Sequence, residues 1–376
     1  MSVVIISNNK LSNDIPSLGN INGLKANQDW VLFLDFERDK LYKKIGNVQS
    51  EISLNQAVIA EHDFQMGEYA TPKTMFRNGE MQDVQSNNEL RYWLSPRGKF
   101  GLLIEQQSTN ILVDPFNPIS RTATLPVSTA FMASVVGSGS MLITGDNIQG
   151  SPITVTESAP VRIKTINTAI TSPVYVTANN LQHYQIEIYS GFAIPSTPIG
   201  VGTTARTRKG DIVKINPTLL AEIQLENNYT IIMQQDIAYD RSGNATSANS
   251  NETRLVAKTN THEVTIGVNR NGTEKTGQTR SVRMTSNLLS GVSDGAATGT
   301  LLANDDLIEN FVYKFSDSEF KGFGNNSNTP SILSKATGTQ VSDIYLRSGK
   351  FIITKLVVYK RALTDAEILK AISSWL

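Results

Sequence analysis

The chain contains no cysteine among its 376 residues. That absence excludes disulfide stapling, thiolate catalysis and cysteine-ligated zinc, and it suits a protein assembled in a reducing cytosol. Histidine is scarce: His62, His183 and His262 lie far apart and form no His-x-x-x-His or Glu-x-x-His pattern, so no shared metal centre is expected from them. Charged residues are only 18% of the chain, and Lys+Arg equals Asp+Glu at 34 each. A net charge of zero supplies no electrostatic pull toward nucleic acid or anionic lipid, and no nucleic-acid partner is expected. No hydrophobic run reaches the roughly 20 residues that cross a bilayer, so no membrane insertion is expected. The stretch from Met1 to Ser7 is apolar for four residues without a basic flank, which does not read as a signal peptide. Phosphate-binding and dinucleotide loops are missing, and Val136-Gly-Ser-Gly-Ser140 lacks the strand-to-helix setting of a serine nucleophile.

What is present is a neutral, polar chain punctuated by short apolar runs. Residues 1–28 are rich in Asn, Ser and Gly and read as an N-terminal arm, either a flexible terminus or a segment that orders only against a neighbouring subunit. Trp30 to Phe36 is a strongly apolar strand, and Asn78-Gly79 between strand formers predicts a hairpin. Leu102 to Val113 predicts a strand pair broken near Gln106-Gln107. From Thr122 to Ile188 short strands recur about every ten residues between Gly, Pro and Asn, which predicts a small β-sandwich inserted over residues 121–190. Residues 29–120 and 191–376 then form the two parts of a larger sandwich. Within the second part, 240–253 is a long polar loop, and Lys350 to Tyr359 is apolar on both faces, as a covered central strand would be.

One helix is predicted, at the C-terminal end. Thr364 serves as N-cap with Glu367 three residues on, the reciprocal capping pattern, and Ile368, Leu369, Ile372, Trp375 and Leu376 follow at helical spacing.

Three runs, in this order, carry a resemblance. They are Gly101-Leu-Leu-Ile-Glu105-Gln-Gln-Ser-Thr-Asn110, then Ile194-Pro-Ser-Thr with Arg206-Thr-Arg208-Lys-Gly-Asp211, then Leu356-Val-Val-Tyr359-Lys-Arg361-Ala-Leu-Thr364-Asp-Ala-Glu367. Together they resemble tailed-bacteriophage virion structural proteins with a concanavalin A-like lectin/glucanase domain. The resemblance implies an all-β concanavalin A-like jelly-roll β-sandwich, with the smaller sandwich inserted and a short C-terminal helix closing one face. It implies that Glu105, Asn110, Arg206, Arg208, Asp211, Tyr359, Arg361 and Trp375 are structural, with an Arg–Asp pair at adjacent strand ends. Ser108 stands where the family usually has Arg, which leaves Glu105 without its expected partner.

The function implied is a non-enzymatic protein on the virion surface, a fibre, appendage or capsid-decoration component assembled in the host cytoplasm. Its partners would be other virion proteins and further copies of itself, although no heptads or β-helix repeats specify a number. Adhesion to host-surface glycan would use the polar loops, with Tyr239, Asp240, Asn244, Asn325 and Asn326 as contact residues. The alternative is a glycan-depolymerising hydrolase. Asp35, Glu37 and Asp39 alternate, so an extended strand would project all three to one side, and Asp317 with Glu319 raises the same reading. No cofactor is expected, with Ca²⁺ at the oxygen-rich loops Gly145-Asp146-Asn147, Asp236 with Asp240, or Asn304-Asp305-Asp306 kept as the alternative; none has the spacing of a dedicated calcium loop.

Overall fold

The computed structural model describes residues 30–60, 73–84, 89–95, 98–105, 107–127, 130–188, 198–199, 206–208, 210–226, 228–237, 250–259, 261–271, 279–288, 293–300, 310–316, 319–324, 331–334, 341–347 and 350–373. The predicted arm 1–28 lies outside them.

The protein is an all-β jelly-roll sandwich. Its larger sheet runs in the order Ser331–Ser334, Glu319–Gly324, Asn310–Phe315, Tyr229–Ile237, Lys350–Tyr359, Trp30–Asp35, Lys40–Ile45, Val48–Glu51. Phe100–Glu105 pairs with the first half of Lys350–Tyr359 and carries Tyr92–Leu94 beyond it. The facing sheet runs Ser293–Thr300, Thr279–Leu288, His262–Asn271, Ser250–Thr259, Val341–Arg347, Ile212–Ile215, Val58–Ala60. All described pairings are antiparallel, and alternation along each strand places Leu32, Leu34, Ile231, Met233, Leu356 and Val358 against Val213, Leu255, Ala257, Ile344 and Leu346 in one buried core.

The larger sheet is covered on its outer face too, which is why Trp30–Asp35 is buried at all six positions. At one end the C-terminal helix α3 (Asp365–Ser373) lays Ile368, Ala371 and Ile372 over Phe33, Ile232, Val312 and Val357. At the other end the hairpin Lys73–Met75/Met81–Asp83 sets Met75 and Met81 on Trp93, Leu103 and Ile352. The hairpin turns at Asn78-Gly79 as predicted, with Gly79 at φ +83° and the Glu80 N–H donating to Asn78 Oδ1. The stripe predicted for α3 is corrected at Leu369, which is 60% exposed, and Trp375 lies outside the described residues.

Two helices escaped the sequence reading: α1 (Leu54–Ala57) and α2 (Pro217–Ile223). The second had a legible signal. Asn216 caps it by accepting from the Thr218 N–H, and Pro217 opens it where its missing N–H costs nothing.

The second sandwich packs a four-stranded sheet (Arg121–Leu125, Ser172–Asn179, Ser140–Thr144, Ile153–Val155) on a five-stranded one (Val161–Lys164, Ala130–Val136, His183–Ile188, Ser108–Asn110, Arg206–Arg208). It has its own core, which includes Phe131, Met141, Ile143, Val174, Val176 and Ile186. Its strands extend past the expected 121–190 at both ends, because Ser108–Asn110 pairs with His183–Ile188 and Arg206–Arg208 pairs with Ser108–Asn110.

The chain therefore leaves the large sandwich after Glu105 and re-enters it at Asp211. These two residues face each other. The Asp211 N–H donates to the Glu105 carbonyl at 2.7 Å, and the Glu105 N–H to Asp211 Oδ2 at 2.8 Å. Arg91, fully buried, donates to Glu105 Oε2 at 2.8 Å and to Asp211 Oδ2 at 2.7 Å. Burial opposes the guanidinium charge, but Asp211 and Glu105 more than offset it, and the Arg91 pKa is raised. The expected arginine deficit at Ser108 is thus corrected: Arg91, just ahead of the strand Tyr92–Leu94, is the partner of Glu105. Ser108 instead donates its hydroxyl to buried Glu187.

Gly101 is the remaining requirement here. A Cβ on it would come 2.3 Å from the Ile353 carbonyl oxygen, so no larger residue lets Phe100–Glu105 approach the central strand.

Replacing Arg91 by Met should destabilise the protein by about 3–5 kcal/mol, because two buried carboxylates lose their counter-charge. Urea unfolding of the variant reads this, and a loss below about 1 kcal/mol would contradict the arrangement.

At α3, the Thr364 N–H donates to Glu367 Oε2 and the Glu367 N–H to Thr364 Oγ1, while Arg361 grips the same carboxylate at 2.6 and 2.9 Å. The Arg361 and Thr364 hydrogen bonds hold Glu367 down to about 2 from an ordinary 4.5. A depressed folded pKa stabilises above the unfolded value, and the contribution fades as pH falls from about 4.5 toward 2. Comparing urea midpoints of wild type and Glu367→Gln between pH 2 and 6 should show the gap closing in that window; a pH-independent gap would refute it.

Candidate functional site

Where the two sheets end, their edges do not close. Val58–Ala60 is the last strand of the facing sheet, and Tyr92–Leu94 lies outside Phe100–Glu105 on the larger one. With the Lys73–Asp83 hairpin and α1, they wall a cleft of about 1410 Å³. Its floor is aromatic: Tyr92 and Phe100 stack at 5.4 Å with an 8° interplanar angle. Phe76, at the hairpin tip, is 46% exposed in the same cleft.

Polar groups rim these rings. Asp39, Asn78, Glu80, Gln82 and Glu89 line the cleft with Arg77, whose guanidinium sits 4.4 Å from the Phe100 ring centre and 2.9 Å from Asp39 Oδ2. Tyr92 is largely buried, and burial together with the Asp39 charge raises its phenol pKa, so it stays a neutral hydroxyl. The exposed Phe76 ring and the largely buried Tyr92–Phe100 stack, surrounded by amides and carboxylates that exchange hydrogen bonds, make a surface matched to polyhydroxylated ligands.

The carboxylate row expected from Asp35, Glu37 and Asp39 does not form. The strand stops at Asp35 and the chain turns through Phe36–Asp39, with Asp39 in the left-handed region at φ +53°. Asp39 alone reaches the cleft; Glu37 lies 3.7 Å from Lys99 on the far side of the turn. Asp35 accepts the Arg38 N–H at 3.0 Å and is buried on the outer face of the larger sheet. In register beside it stand Lys355, Gln234 and Asn310, a polar row across four strands that the sequence reading missed. Burial raises the Asp35 pKa against the pull of Lys355 and Arg38, and burial lowers that of Lys355. Alternation failed to warn of the turn because Glu37-Arg38-Asp39 fits a strand end as well as a reverse turn.

The other expected residues that are described do not line the cleft. Tyr239, Asp240, Asn244, Asn325 and Asn326 lie outside the described residues, as do Asp317 and the Glu319 side chain. Arg206 and Arg208 pair their backbones with Asn110 and Ser108, and their side chains are likewise outside the description. Asn110 Oδ1 accepts the Leu112 and Ile186 N–H groups, both at 3.1 Å, and Tyr359 is buried beneath α3. Of the oxygen-rich loops, Asn147 is spent as a clamp, donating to Asn167 O and Ser172 Oγ and accepting the Asn167 N–H. Among the described residues no group of three or more His, Asp or Glu is placed to hold a metal ion.

No family model matches the chain, and no curated protein matches it either. Among solved structures, it is similar to the kappa-carrageenase of Pseudoalteromonas carrageenovora, in complex with an oligotetrasaccharide of kappa-carrageenan. The identity is 4%, the match covers 67% of this chain and 87% of that one, and the TM-score is 0.24. A likeness at that level transfers neither substrate nor reaction. It does correct one expectation: the chain matched is an enzyme, and "non-enzymatic" is withdrawn as a description of this protein.

Proposed function

We propose that this protein is a glycan-engaging component of a tailed-phage particle, holding host-surface polysaccharide in the cleft between the sheet edges. The observation that carries the reading is the composition of that cleft, in which exposed Phe76 and the Tyr92–Phe100 stack lie among Asp39, Arg77, Asn78 and Glu80. The phage setting is supported by the three sequence runs around Glu105, Asp211 and Tyr359. Each such contact is weak by itself, and many copies on one particle would raise retention by about 10²–10⁴.

A second reading, cleavage of the bound glycan, is favoured by the presence of Asp39, Glu80 and Glu89 in the same cleft. Both are tested together by incubating the purified protein with host envelope polysaccharide and measuring retention and soluble saccharide release. Phe76→Ala should lower retention at least about tenfold, the loss of one stacking face at about 1.4 kcal/mol; unchanged retention would sink the cleft as the binding surface. Release over many turnovers that disappears in Glu80→Gln would establish the second reading, and no release would leave binding alone.

A further inference from the structure

The small sandwich has a face that the cleft does not explain. In Ser172–Asn179 the side chains alternate, with Ser172, Val174 and Val176 buried and Pro173 and Tyr175 exposed. Tyr175 is thus the aromatic residue of the outer face of the four-stranded sheet, with 51% of its surface open to solvent. Its register partners on the two neighbouring strands are Thr122 and Thr144, directly opposite on either side. Thr144 donates its hydroxyl to the Tyr175 carbonyl at 3.5 Å, which holds that side of the row in place. Beyond them the strands give way to the Asp146-Asn147 turn and to Ile170, and together these residues line a groove of about 830 Å³. Asn147 is rigidly tied to Asn167 and Ser172, so this wall of the groove is preformed.

We propose that this groove is a second glycan-binding subsite, in which a neutral pyranose packs on the Tyr175 ring. A ring between two threonine hydroxyls matches a sugar, which has one apolar C–H face and hydroxyls around its edge. A phosphorylated ligand is a poor fit, since the charged side chain lining the groove is the carboxylate of Asp146. The proposal rests on the preceding glycan reading for its ligand class alone, and it uses no residue of the cleft. On a small module joined to the large sandwich by two short crossings, it would give the protein two points of attachment to one polysaccharide chain.

The test is isothermal titration of the full chain with neutral linear hexasaccharides of β-1,4-glucose, β-1,3-glucose and β-1,4-N-acetylglucosamine. At least one should bind, and Tyr175→Ala should weaken it tenfold or more. Tyr175→Phe should stay within about threefold, because the stacking face survives. Paired Thr122→Val and Thr144→Val changes, which keep shape and remove hydroxyls, should weaken binding severalfold. Phe76→Ala in the cleft should leave this component intact. The subsite is overturned if Tyr175→Ala binds within twofold of wild type, or if none of the three sugars binds. Loss in Phe76→Ala with Tyr175→Ala unchanged would overturn the subsite and leave the cleft standing.

Discussion

One buried charge cluster joins what would otherwise be two independent sandwiches. Arg91 meets Glu105 and Asp211 with no solvent to share the load, and each residue comes from a different part of the chain. Glu105 ends the last strand before the chain enters the small module, and Asp211 begins the return. The backbone bonds between these two residues close the neck, and Arg91 neutralises the carboxylates that the closure buries. Desolvating three charges is unfavourable by itself, so the cluster is better understood as specifying register and path than as a large net source of stability. With the neck set, Ser108–Asn110 and Arg206–Arg208 lie side by side and seed the five-stranded sheet.

The same economy governs the outer face of the larger sheet. Its central strands are apolar on both sides, and each end of the face is covered by a separate device, α3 at one and the methionine-bearing hairpin at the other. Between the covers runs the buried polar row that includes Asp35 and Lys355. Because the hairpin is seated on the sheet by Met75 and Met81, its tip projects Phe76 and Arg77 over the sheet edge. The cleft is a by-product of how the sheet is capped. Together with the Tyr175 face of the small sandwich, it places aromatic surface on both modules, beside carboxylates in each: Asp39, Glu80 and Glu89 in the cleft and Asp146 in the groove.

Local signals were good guides wherever one residue type satisfies one local need. Asn78-Gly79 supplied a turn, Thr364 with Glu367 supplied a capping box, and the ten-residue rhythm marked short strands between Thr122 and Ile188. Asn216-Pro217 was an equally local helix start that went unread. Reading failed where a residue's role depends on distant partners. Nothing near Arg91 in sequence announces that it will serve Glu105 and Asp211, which are 14 and 120 residues away. Nor does the alternation of Asp35, Glu37 and Asp39 reveal that the strand ends after the first of them.

The sequence by itself determined the all-β class, the absence of thiol chemistry, and the position of the terminal helix, because composition, periodicity and capping act over a few residues. Tertiary structure decided which residues share a site. Phe76, Tyr92, Phe100 and Asp39 converge only when two sheet edges and a hairpin meet, and Thr122, Tyr175 and Thr144 align only through strand register. The physical reason is that pairing register and edge placement are long-range properties, set by which apolar faces must be buried together.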